Sequence, residues 1–127
     1  MKRVLITGLS GSGWLWREDR IKALLETEDA DILFVSACVE NQGKFYSRFD
    51  EIVLLSVPAE VTIERLARRT NNPYGKRPEE EAEVLAYKET VEPLLRKSAT
   101  IEIDTSHPLS DVVEALISKV GLPKASR

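Results

Sequence analysis

The chain has 127 residues, 43% of them hydrophobic and 31% charged, enough for one core and too few for two ordinary domains. Eighteen basic against 21 acidic side chains leave a net charge of −3, which argues against attachment to nucleic acid by bulk charge. The lone Cys38 excludes an intramolecular disulfide. No apolar run approaches the ~20 residues of a membrane span, and Met1-Lys2-Arg3 leads straight into a strand-like run, so a single cytoplasmic domain over residues 1–127 is expected.

Val4-Leu5-Ile6-Thr7 is short, apolar and β-branched and stops at Gly8, the pattern of a buried parallel strand. Ile21, Leu24 and Leu25 recur at helical spacing and predict an amphipathic helix within Trp16 to Glu28. Ile32-Leu33-Phe34-Val35 and Ile52-Val53-Leu54-Leu55 read as further buried strands. Each is continuous rather than alternating, so both faces are expected to be covered, which favours an α/β layered fold over a sandwich. Pro58 opens a helix with apolar Val61, Ile63, Leu66 and Ala67 that runs to about Arg69. Thr70 to Pro78, TNNPYGKRP, is a loop by its turn residues. Pro78 and Glu79-Glu80-Glu81 start another helix, acids at its positive end, running to about Lys97. Thr100 to Ile103 is a fourth strand. After the turn Asp104 to Pro108, Ser110 is expected to cap a last helix whose Val112, Val113, Leu116, Ile117 and Val120 face the sheet.

Gly8-Leu9-Ser10-Gly11-Ser12-Gly13, directly after a buried strand, carries the strongest chemical signal. Glycines there let successive backbone N–H groups turn inward and form an anion nest. Gly8 and Gly13 have the G-x-x-x-x-G spacing of a phosphate-binding loop. The dinucleotide fingerprint fails because Trp16 stands where its third glycine belongs, and no Tyr has a Lys four positions on, which removes a short-chain-dehydrogenase reading. The phosphate-loop motif itself breaks at Trp14 and Leu15, which occupy the places of the phosphate-reaching Lys and the magnesium-holding Ser or Thr. An ordinary glycine turn remains the alternative.

The order of segments resembles small P-loop kinases of the shikimate-kinase-like and adenylate-kinase-like kind. Gly8 to Gly13 is similar to their loop opening. Phe49 to Leu55, Pro58-Ala59-Glu60 and Glu64-Arg65-Leu66 through Arg69 resemble the strand and helix that enter their lid. Ile103-Asp104-Thr105-Ser106 resembles the turn that closes over the adenine. The wording WREDRI, NQGKFY and RTxNPYGK further resembles an uncharacterised ATP-binding branch. The resemblance implies a three-layer α/β/α P-loop fold with a mostly parallel sheet and a lid at about 70–78. It also implies ATP and Mg²⁺ as cofactors and transfer of the γ-phosphoryl group to a small acceptor. By the same comparison a helix and a strand, roughly 30 to 40 residues, are missing between Gly13 and Trp14. A flexible segment outside the 127 residues, a deletion and natural degeneration are the competing explanations.

Arg65, Arg68, Arg69, Lys76 and Arg77 form a basic stretch without an acid, suited to closing over a polyphosphate, with a solvated helix end as the alternative. The resemblance puts Arg65 against the adenine and Arg69 at the phosphates, makes both the catalytic candidates, and adds Asp104 and Thr105 to the loop as nucleotide-binding residues. Gln42 falls where the relatives place an acceptor-reading glutamine, although a polar surface loop would explain it equally. No metal-ligand cluster is legible, and His107 reads as a turn residue. Trp14 and Trp16 suit either packing or base stacking. Three functions stay in view: an ATP-dependent kinase, a non-catalytic nucleotide-binding module, and a protein-interaction domain on an inherited fold. Because Trp14 and Leu15 cannot neutralise phosphate or hold a metal, little transferase activity is expected of the 127-residue chain.

Overall fold

The computed structural model describes residues 1–8, 15–68 and 77–121, leaving out the Leu66 side chain. Four strands, β1 (Lys2–Thr7), β2 (Ile32–Ser36), β3 (Glu51–Ser56) and β4 (Ile101–Asp104), form one sheet in the order β2-β1-β3-β4. Every pairing is parallel: Lys2 lies opposite Ile32, Val4 opposite Glu51, and Val53 opposite Ile101. The four carboxyl ends therefore share one edge. The helices are α1 (Glu18–Leu25), α2 (Ala59–Arg68), α3 (Pro78–Ser98) and α4 (Leu109–Val120), with a 3₁₀ segment at Gln42–Arg48.

Alternation along the strands divides the core in two. On one face Leu5, Val35 and Ile52 pack with Ile21 and Leu25 of α1 and with Phe45 and Phe49. On the other, Val4, Val53 and Ile103 pack with Val120, joined by Val112, Ala115 and Leu116 of α4. Helices on both faces make this a three-layer α/β/α fold, as expected, with an all-parallel sheet. Basic side chains near the amino ends of the strands secure the helix ends. The Arg3 guanidinium donates to the carbonyls of Leu25 and Thr27, and Lys2 Nζ donates to the Val120 carbonyl at the negative end of α4. Gly121 ends α4 at φ +74°, a left-handed position that suits glycine, and its N–H closes on the Ile117 carbonyl at 3.1 Å.

Four expectations need correction. The last helix starts at Leu109 with Pro108 at its N-cap and no side-chain cap, so Ser110 lies inside the first turn. Val113 and Ile117 are 43% and 44% exposed, because a helix carrying five apolar positions cannot turn all of them to one sheet face. Gln42 is buried at the start of a 3₁₀ helix over Gln42–Arg48 rather than lying in a polar surface loop. Finally, β2 is an edge strand among the described residues and Phe34 is 39% exposed, so its continuous apolar run does not mean cover on both faces.

Candidate functional site

The parallel order brings Gly8, the turn that follows β2, Ser56-Val57-Pro58 and Asp104-Thr105 to one edge of the sheet, where α/β proteins bind ligands. Gly8 passes so close to β3 that a Cβ there would stand 3.0 Å from the Leu55 carbonyl oxygen. A side chain at that point would meet backbone, which has no rotamer to yield. Thr7, the last residue of β1, is buried, and its hydroxyl accepts from Gln42 Nε2 at 3.1 Å.

Gln42 is only 3% exposed, and its amide is fully engaged. Its Nε2 also donates to the Tyr46 hydroxyl at 2.9 Å, while its Oε1 accepts from the Val39 N–H at 2.9 Å. The side chain thus ties the end of β1 to the turn after β2 and to the 3₁₀ segment. Beside it, Asn41 makes a reciprocal pair with the Trp16 backbone, both bonds 2.9 Å, and fixes the chain entering α1. The Trp16 ring meets Phe45 edge to face at 5.9 Å. Its role there is packing.

At the far side of the edge, Arg65 on α2 reaches the turn after β4. Its guanidinium donates to the Thr105 hydroxyl at 3.2 Å and to the Thr105 carbonyl. Thr105 is held in turn by its N–H on the Ser56 carbonyl at 2.8 Å. The Asp104 carboxylate accepts the Ser106 N–H at 2.8 Å. Ser106 holds Asp104 below its ordinary carboxylate range, with His107 and Arg65 adding to the effect. Among the described residues Arg65 makes no salt bridge, whereas Arg68 is paired with Glu64 at 2.5 Å on the exposed face of α2. Leu9 to Gly13, Trp14, Arg69 and most of the expected lid, including Lys76, lie outside the described residues. His107 sits exposed in the turn after β4.

A cleft of about 570 Å³ opens beside this turn, lined by Ser56, Val57, Pro58, Lys88, Glu92, Arg96, Glu102 and Asp104. Its wall is an ionic network. Arg96 donates to Glu102 at 2.7 and 3.0 Å and to Glu92 at 3.0 Å; Lys88 pairs with Glu92 at 2.5 Å, and Ser56 donates to Glu102 at 2.8 Å. Arg96 lowers the Glu102 carboxyl, and Glu102 followed by Glu92 raises the Arg96 guanidinium. Sequence reasoning missed this cluster. The four-residue spacing Lys88-Glu92-Arg96 was a readable signal, but the link to Glu102 depends on where α3 lies against the sheet. On α3, partial burial pushes the Tyr87 phenol up, with Cys38 and then Glu40 adding to it.

No group of three His, Cys, Asp or Glu among the described residues can hold a metal ion. Leu15, at the place where a metal-holding hydroxyl would belong, is 60% exposed and offers only an alkyl group. The described donor set therefore does not fit a protein-held Mg²⁺. No helix among the described residues is long and apolar enough to cross a membrane.

An all-parallel four-stranded sheet with helices on both faces is an α/β fold consistent with a P-loop kinase-type domain. The chain belongs to the shikimate kinase family: the family model described as "Shikimate kinase" matches residues 18–121. That match begins at the first residue of α1, after the glycine-rich stretch. Family membership supports a kinase-like nucleotide-binding function, and kinases of this kind generally use ATP and Mg²⁺. No curated protein matches the chain.

Proposed function

We propose that the chain is a single-domain, cytoplasmic nucleoside-triphosphate-binding protein that retains the base end of a kinase site and has lost most of its phosphoryl-transfer capacity. The observation that carries this reading is the clasp of Arg65 on Thr105 beside an ionised Asp104. The guanidinium is exposed and has no described carboxylate partner, so it offers a planar cation to a purine ring and the Thr105 turn offers polar groups to its edge. Gly8 after β1 and Thr105 after β4 flank β3. They are thus separated by about two strand spacings, ~10 Å, with Leu9 to Gly13 leading from Gly8 as the proposed phosphate nest and Arg69 proposed to reach the phosphates.

Magnesium in such kinases neutralises phosphate oxygens; this chain supplies neither a hydroxyl at Leu15 nor a lysine at Trp14. What its residues do is bind and orient the nucleotide. Positioning and electrostatics account for most phosphoryl-transfer catalysis, and loss of a single oxyanion-type donor costs roughly 3–4 kcal/mol of transition-state stabilisation. Titration of the full chain with ATP and ADP, coupled to a turnover assay, tests the reading. Binding with turnover at the uncatalysed level is expected.

A second reading, transfer of the γ-phosphoryl group to a small acceptor, is favoured by the family match over residues 18–121. ATP consumption by a preparation whose intact mass corresponds to 127 residues would select it. Gln42, with its amide engaged inside the chain, supports the walls of this site and is not proposed to touch an acceptor.

A further inference from the structure

The hydrogen-bond donors of Thr105 and Ser106, in the turn after β4, are engaged within the fold. The Thr105 N–H goes to the Ser56 carbonyl at 2.8 Å, and the Thr105 hydroxyl donates to the same oxygen at 3.3 Å. The Ser106 N–H donates to the Asp104 carboxylate at 2.8 Å, and the Ser106 hydroxyl donates to it as well. Pro108, at the N-cap of α4, has no N–H to offer. Asp104 presents the opposite chemistry. It is exposed, and it stands on the wall of the cleft of about 570 Å³ beside the turn, a volume within the range of small-ligand sites. An ionised carboxylate has about four lone-pair positions and no proton to give, and Ser106 fills about two of them. Lys88 and Arg96 reach the same cleft from α3 but pair with Glu92 and Glu102 instead of Asp104.

The two purines differ at the edge that meets such a group. Guanine's Watson–Crick edge places two donors side by side, N1–H and the N2 amine, and one carboxylate accepts both. Adenine's edge places a single amine next to N1, whose lone pair would face the carboxylate charge. Hydrogen bonds to an ionised acceptor are roughly twice as strong as neutral ones, which widens the difference between the two edges. We infer that the site selects guanine over adenine nucleotides, with Asp104 accepting from N1 and N2 while the plane of Arg65 covers the ring. This rests on the nucleotide-binding reading above and adds the choice of base to it. ATP, lacking the paired donors, is held through stacking and its phosphates.

Calorimetric titration of the intact chain with GTP, ITP and ATP tests this without any substitution. GTP should bind at least about tenfold more tightly than ATP, and ITP, which keeps N1–H and lacks the N2 amine, should fall between them. Asp104→Asn, with folding checked by a thermal melt, should bring GTP to the level of ATP and change ATP by less than about threefold. Saturable binding in which ATP equals or exceeds GTP would overturn the inference and leave the nucleotide-binding reading standing. A guanine preference that persists unchanged in folded D104N would overturn it as well. Binding of none of the three by the folded chain would overturn both the reading and the inference.

Discussion

Arg65 and Thr105, forty positions apart in the chain, are joined by two donations from one guanidinium, to the threonine hydroxyl at 3.2 Å and to its carbonyl. The contact links α2 to the turn after β4 and leaves the cation exposed at the carboxyl edge of the sheet. Replacing Arg65 with Ala should weaken ATP binding by at least about tenfold, or 1.4 kcal/mol, while moving stability by no more than about 0.5 kcal/mol, as expected for an exposed side chain. Arg65→Lys should recover only part of the affinity, because an ammonium lacks the planar fork. Paired calorimetric titrations and thermal melts check both halves.

Gly8 gives a prediction of the opposite kind. A methyl group there would meet the Leu55 carbonyl oxygen at 3.0 Å, and two strands of one sheet cannot part locally without loss of ladder bonds. Gly8→Ala should cost about 1–3 kcal/mol, the usual range for overpacking. Urea unfolding should show a lower midpoint at unchanged slope.

Gln42 holds three partners from a buried position: the Val39 N–H, the Thr7 hydroxyl and the Tyr46 hydroxyl. Gln42→Leu preserves bulk and leaves the Val39 N–H without its acceptor, so a loss of about 1–3 kcal/mol is expected. An unfolding curve that coincides with that of the parent chain would show that the amide is not structural.

The acid limb of stability should report the Arg96–Glu102 pair. The folded-state carboxyl of Glu102 is lowered from its ordinary value of 4.5, chiefly by Arg96. Its contribution is therefore fully present above 4.5 and is lost as pH falls through the lowered value. Arg96 is shifted upward and stays charged throughout this range. Glu102→Gln should flatten the decline in urea midpoint below pH 4.5 and lower the midpoint at pH 7.

Three of the four strands were legible because continuous apolar runs ended at Gly8, Ser36 and Ser56 are distinctive against the polar stretches around them. The 3₁₀ segment was not, since residues 42–48 carry no 3.6-residue period, and the bonds of Gln42 and Asn41 that tie it down reach residues distant in the chain, Thr7 and Trp16. Phe34 illustrates a different limit: a strand's apolar run does not say how many neighbours the strand has. In the candidate site, Arg65, Asp104 and Thr105 could be singled out by resemblance. Their contact follows from the strand order, which places the end of β4 next to the helix leaving β3. The Lys88-Glu92-Arg96 network was half legible, as helical spacing, and its closure on Glu102 required the tertiary fold.

Titration of ATP into the intact 127-residue chain, with turnover followed in the same sample, tests the central claim most directly. The account predicts saturable binding that Arg65→Ala weakens by at least about tenfold, without phosphate release above the uncatalysed level. Robust ATP turnover, or no binding of ATP at millimolar concentration by the folded chain, would contradict it.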